Sequence, residues 1–247
     1  MSHFIHQTAF YIHVVLGSLA LVIFWLPIFA KKGSQNHVRF GNYFVAAMYT
    51  VSITGLIMSV LVLIDPVAVR LYDTNMPADE LARIIYRNRI FAMFLLMLSL
   101  LVLSNTRHSI LVLKAKNDRT QLRSSAHLSL VILLGVTGFI TAIYGIMHNI
   151  LLFQIFASLS VFNSLGLLRY IFKSHLQKRE WIIEHLGNII GSGIGAYTAF
   201  FAFGGRRLFE QLLTGNLQVI PWVIPGVVGV VSTIYLAKKY RKQYRVA

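Results

Sequence analysis

The sequence contains no cysteine. Disulfides, thiolate metal sites and cysteine nucleophiles are excluded with it. Charge is scarce: 13% of residues are Asp, Glu, Lys or Arg, against roughly a quarter in a soluble domain. Acids are the scarcest, eight in 247 residues, and none falls inside a long apolar run. Asp65 ends one such run and Glu184 begins another. A buried carboxylate relay is usual in proton-coupled transporters, and two-metal hydrolysis also needs carboxylates. Both functions are disfavoured on this ground. The N-terminus lacks the basic stretch and small-residue cleavage site of a signal peptide, so the first apolar segment is expected to remain as a span. No HxxxH, HExxH or cysteine-containing zinc pattern occurs.

What is present is apolar sequence. The chain is 56% hydrophobic with a mean hydropathy of +0.67. Nearly charge-free runs of about 20 residues recur, and that length of helix crosses a bilayer. The expected fold is all-α, a seven-transmembrane-helix bundle forming a single integral membrane domain over 1–247. Spans are expected near 9–30, 41–64, 86–106, 128–148, 150–172, 183–203 and 219–237.

The formal net charge of +15 would suggest nucleic acid in a soluble protein. Here the basic residues sit in connections between spans, so nucleic acid is not expected as a partner. The N-terminal stretch and the second, fourth and sixth connections hold six Lys and Arg; the first, third and fifth connections and the tail hold seventeen. The positive-inside rule then puts the N-terminus outside and the C-terminus in the cytoplasm. The expected location is the cell (inner) membrane, multi-pass, with the lipid bilayer as partner and anionic lipid at the cytoplasmic face. Pro77, Asp79 and Glu80 mark a helix start, expected as a short interfacial helix running into the third span. The third connection, from Ser104 to Ser125, reads as a polar, basic loop.

Glycines recur on helical spacing. Gly187, Gly191, Gly195 and Ala199 fall every fourth residue in the sixth span, and Gly135, Gly138, Ala142 and Gly145 at three or four in the fourth. Gly226 and Gly229 add to the seventh. Such rows let helix backbones approach closely, so the fourth, sixth and seventh spans are expected to pack together. A flat cofactor or a lipid chain would use the same groove.

Nine histidines supply the chemistry. His37, His108, His127, His175 and His185 are expected near the cytoplasmic face, and His3, His6, His13 and His148 near the outer one. His37, His127 and His185 stand at or before helix N-termini, where neutral imidazole, the ligand form, is favoured. If the second, fourth and sixth spans adjoin, these three form a candidate metal set. His6 and His13 share a helix face but stand about 10 Å apart along the axis, too far for one ion. A b-type haem held by two imidazoles from different helices is the concrete cofactor reading. Its candidate pairs are His127 with His185 on the inner side and His13 with His148 on the outer. A transition metal is the wider version. The alternatives are a transporter or sensor for a small molecule or lipid without a metal cofactor, and an intramembrane lipid-modifying enzyme. Oligomeric state, including a homo-oligomer, is open.

His13 followed by Gly17, then Lys32 and Gly33 with His37 and Gly41, resembles an uncharacterised bacterial family of polytopic membrane proteins, described only as a domain of unknown function. His185 ahead of Ser192, Thr198, Ala199 and Phe200 is similar too. The family often has His and Arg adjacent; here Val38 separates His37 from Arg39. The resemblance covers about half of the chain, implies that His13, His37 and His185 form a recurring set, and brings no activity.

Overall fold

The computed structural model describes residues 1–70, 76–201, 213 and 215–246. Asp73, Arg206, Arg207 and the expected end of the sixth span at 203 lie outside them. Among the described residues the chain is helix and turn with no strand. In order, α1 is Ser2–Ile23, α2 Trp25–Phe29, α3 Gln35–Ile64, α4 Pro66–Arg70 and α5 Ala78–Ala115. After a short 3-10 turn, Thr120–Arg123, come α6 Ser125–Met147, α7 Leu151–Phe172 and α8 Glu180–Ala199. A second 3-10 turn, Gly215–Val219, leads into α9, Ile220–Tyr244.

Among the described residues six helical segments are long and apolar enough to cross a membrane: Ser2–Phe29, Gln35–Ile64, Ala78–Ala115, Ser125–Met147, Leu151–Phe172 and Leu217–Tyr244. The chain is a multi-pass helical membrane protein. The remaining expected span corresponds to α8, whose described part falls short of that standard. Glu184, His185, Asn188 and four glycines dilute its apolar character.

The distribution of side chains is that of a protein solvated by lipid. Phe139, Ile140, Ile143 and Ile146 of α6 and Val227, Val230, Val231 and Ile234 of α9 are exposed. Ser52, Ser104, Asn105, Thr106, His108, His127, Thr141, Ser160, Ser164 and Ser192 are buried. In hydrocarbon a polar group without a partner costs several kcal/mol, so polar groups turn inward and bond to each other or to helix carbonyls. Ser52 and Ser160 do the latter, each bonding the carbonyl four residues back.

Helix α5 is the hub. It packs on α3, α6, α7 and α8, while α1 packs on α3, α6 on α7 and α9 on α8. The fourth span is expected against the sixth, but its glycine face meets α7 instead. A Cβ on Gly135 would lie 2.8 Å from Ser164 Oγ, one on Gly138 3.1 Å from Ser160 Cβ, and one on Gly145 2.9 Å from Phe153 Cβ. In α8, Gly191 and Gly195 face Asn105 and Val102 of α5, whereas Gly187 has nothing within 4 Å of its Cβ position. Gly187 is therefore not a packing glycine among the described residues. Gly193, off the expected row, lies against the ring of Phe24. Gly229 of α9 lies against Ile194, and Gly226 is open.

The largest departure from the expected boundaries is α5. It starts at Ala78 behind Pro77 and runs without a break to Ala115. The expected interfacial helix and third span are one helix, and so is the first part of the connection read as a loop. Leu111, Val112 and Ala115 explain the extension: they pack with Leu122, Tyr170 and Ile171 at the end of the bundle. The connection itself is short. Asp118 folds it by accepting bonds from the Thr120 backbone N–H and hydroxyl, which hold its carboxyl below the usual range.

Arg119 in that connection closes the end of α7. Its guanidinium donates to the carbonyls of Tyr170, Lys173 and Ser174, the orphan acceptors a helix C-terminus leaves. Arg119→Ala is expected to lower stability by about 1–3 kcal/mol, the range for losing hydrogen bonds made by a charged donor. A thermal melt in detergent checks it, with Arg123→Ala, whose side chain lies over the Phe172 ring, as the comparison.

Candidate functional site

Where α5, α6 and α8 meet, three ionisable side chains form a continuous chain. His108 comes from α5, His127 from the first turn of α6 and Glu184 from the second turn of α8. The His108 ring is fully buried, and so is that of His127. His108 Nδ1 lies 3.0 Å from His127 Nε2, and His108 Nε2 lies 3.1 Å from Glu184 Oε1. The two rings are 5.3 Å apart at their centroids and inclined by 25°. The Glu184 side chain retains 24% of its accessible surface.

Local structure explains each position. Ser124 is the extended residue that starts α6, and its carbonyl accepts from the His127 N–H. Arg179, in the left-handed region with φ 62°, starts α8. Glu180 braces that turn, accepting from Lys173 Nζ at 2.6 Å and from the Gln177 N–H at 2.8 Å. Glu184 then falls one turn further along, level with Asn188. Asn188 Nδ2 donates to the Glu184 carbonyl at 2.8 Å and to its Oε1 at 3.0 Å. Ser192 donates to the Asn188 carbonyl and meets Thr106 Oγ1 at 2.9 Å. One polar face of α8 thus runs against one polar face of α5.

The carboxylate sets the tautomers. A carboxylate at Glu184 only accepts, so His108 Nε2 carries a proton. Neutral His108 then accepts at Nδ1, and His127 donates from Nε2. Neutral His127 is left with a bare Nδ1, which is buried and has no hydrogen-bond partner among the described residues. Two further buried groups nearby lack one there: the Tyr170 hydroxyl and Arg107 Nε. The Tyr170 ring meets His108 edge-on, 5.6 Å between centroids at 81°. Deeper along α5, Asn163 Nδ2 of α7 donates to Asn105 Oδ1 at 3.0 Å.

The expected site residues take other partners. His127 bonds His108, while His185 Nδ1 lies 3.0 Å from the Ser109 carbonyl. His37 Nδ1 lies 2.9 Å from the Pro27 carbonyl. His13 Nδ1 lies 3.0 Å from Thr54 Oγ1, and His148, at the end of α6, lies against the Tyr144 ring at 4.2 Å. Each of these five histidines is engaged locally. Among the described residues no group of three or more His, Cys, Asp or Glu is gathered for a metal ion. His108 uses its two ring nitrogens for two different partners, so Glu184, His108 and His127 do not converge on one point.

His108 and Glu184 are the residues sequence reasoning passed over. His108 sits in a stretch read as loop. A helical signal was present: Asn105, His108, Val112 and Ala115 recur at three and four residues, and all four are buried. Glu184 reads as the inner end of a span, and in the folded chain its carboxylate turns toward α5. No protein-family model, curated protein or solved structure matches the chain.

Proposed function

We propose that the protein is a proton-translocating membrane carrier in which the proton passes along Glu184, His108 and His127. The observation that carries this reading is the imidazole–imidazole hydrogen bond at 3.0 Å, with a carboxylate at one end and a bare ring nitrogen at the other. A proton added at His127 Nδ1 makes an imidazolium. Its Nε2 proton passes to His108 Nδ1, and the His108 Nε2 proton passes to a Glu184 oxygen. Three bonds to hydrogen form and two break, so the chain gains one proton and has moved it by relay. Both rings must then reorient before a second proton follows, which suits a carrier better than an open channel. Ionisable groups held inside a membrane bundle commonly serve such relays. If loop charge sets the orientation, with the N-terminus outside and the C-terminus in the cytoplasm, all three groups stand near the cytoplasmic face, where the relay would take up or release the proton.

The test uses purified protein in vesicles carrying an internal pH dye, with a potassium gradient and valinomycin setting the potential. Wild type is expected to take up protons faster than empty vesicles, and Glu184→Gln to fall to the empty-vesicle rate. Equal rates for wild type and empty vesicles at both polarities contradict the reading. The same preparation tests the redox alternative: a Soret or alpha band in a reduced-minus-oxidised spectrum would assign the histidines to haem b, and a stoichiometric transition metal by elemental analysis would assign them to that metal.

A further inference from the structure

The end of α9 carries two basic clefts that the proton relay does not use. The larger, about 500 Å³, lies between the α2–α3 turn and α9. Lys31, Lys32 and Lys239 line it, with the rings of Tyr240 and Tyr244. The smaller, about 240 Å³, is lined by Lys178, Arg179 and Arg245. Gln243 and Tyr244 border both. Among the described residues no carboxylate lines either cleft.

Positive topology signals alone would leave these lysines extended into water. Lys32 is instead pinned at the cleft, donating to the Pro27 carbonyl at 2.9 Å and the Ile28 carbonyl at 2.7 Å. Burial, with Lys239 as a like charge nearby, pushes its ammonium below the usual lysine range. Lys31 and Lys239 are exposed beside it, and like charges grouped with no carboxylate among the described lining residues favour an anion between them. Glu180, on the neighbouring α7–α8 turn, is already taken by Lys173 and Gln177. Apolar surface continues from the cleft: Phe29, which lines it, is 80% exposed, and Ile234 and Tyr235 on α9 are 64% and 67% exposed. A cationic cleft joined to a lipid-facing apolar wall matches a headgroup with its acyl chains.

We propose that these clefts form a binding site for the phosphate of an anionic phospholipid, held chiefly by Lys31, Lys32 and Lys239. The site stands independently of the proton relay. It is tested by native mass spectrometry of the full chain released from mixed micelles of phosphatidylglycerol and phosphatidylcholine. Wild type is expected to retain phosphatidylglycerol in preference. The double variant K31Q/K239Q is expected to lose that retention about twenty-five-fold, from about fivefold for each lysine near an anionic surface. The variant K114Q/K116Q removes the same charge elsewhere and is expected to stay within about twofold of wild type. Lys239→Arg keeps the charge and keeps retention, which a folding defect would not. Retention unchanged in K31Q/K239Q, or lost equally in both double variants, overturns the proposal. So does displacement of the lipid by inorganic phosphate at matched ionic strength, which would make the ligand the free anion.

Discussion

Leucine at position 108 is expected to lower proton flux in vesicles by about a hundredfold or more, the low end of what a positioned proton-transfer group contributes. Among the described residues His108 links Glu184 and His127: one ring nitrogen meets each. Leucine fills much of the ring's volume and neither gives nor accepts a proton. The same change strands the buried His127 Nε2, at a cost of roughly 1–3 kcal/mol, while the part-exposed Glu184 carboxylate keeps its bond from Asn188. The melting temperature should therefore fall, and the variant is compared, at a temperature where both are folded, with His37→Gln outside the chain. His37 bonds the Pro27 carbonyl, lies outside the relay, and is expected to keep flux within about twofold of wild type, since surface and non-relay changes leave the transfer groups in place. Loss of flux in both variants to the same degree would point to stability alone.

The second large effect is on the bundle. Gly145→Leu is expected to destabilise the protein by about 1–3 kcal/mol or more, the range for overpacking a close contact. The α6–α7 hairpin turns in three residues, with Asn149 at φ 54°. The Gly145 carbonyl accepts both the Ile150 N–H at 2.8 Å and Gln154 Nε2 at 2.9 Å. A Cβ at Gly145 would meet the backbone of Phe153 and Gln154 at 3.3 and 3.1 Å, and backbone within a helix cannot step aside. Gly187→Ala is expected to do the reverse. No described residue lies within 4 Å of its Cβ position, and alanine gains about 0.8–1 kcal/mol of helix propensity over glycine. Thermal unfolding in detergent of the two variants beside wild type reads both signs. Equal destabilisation by the two would contradict the packing described here.

These contrasts show what the sequence could and could not reveal. Apolar runs, turn residues and charge in the connections place α6 and α7 within three residues, at expected spans 128–148 and 150–172, while α1, α3, α5 and α9 differ by six to nine residues at one end or both. Those signals are local, and hydrophobic length reads directly as a span. Which helices touch is not local. Glycine spacing marks a face fit for close approach, yet it does not name the partner, so the α6 row found α7 rather than α8. It also does not tell an occupied face from an empty one, as Gly187 and Gly191 illustrate four residues apart. The site was hidden for a related reason. His127 and His185 share the signature of a histidine heading a helix. Only the fold shows that α5 extends far enough to put His108 beside one and the Ser109 carbonyl beside the other. Glu184 was discounted because no acid falls within a span, although an acid one turn inside a helix still reaches a neighbouring core.

The most direct measurement of the relay is nitrogen-15 magnetic resonance of histidine-labelled protein in lipid, with His108→Gln and His127→Gln used for assignment. The account predicts a through-hydrogen-bond coupling between His108 Nδ1 and His127 Nε2, a protonated His108 Nε2, and an unprotonated His127 Nδ1. It also predicts that Glu184→Gln alters the His108 tautomer and, through it, the resonances of His127. Two histidines without mutual coupling, each indifferent to the residue at 184, would contradict it.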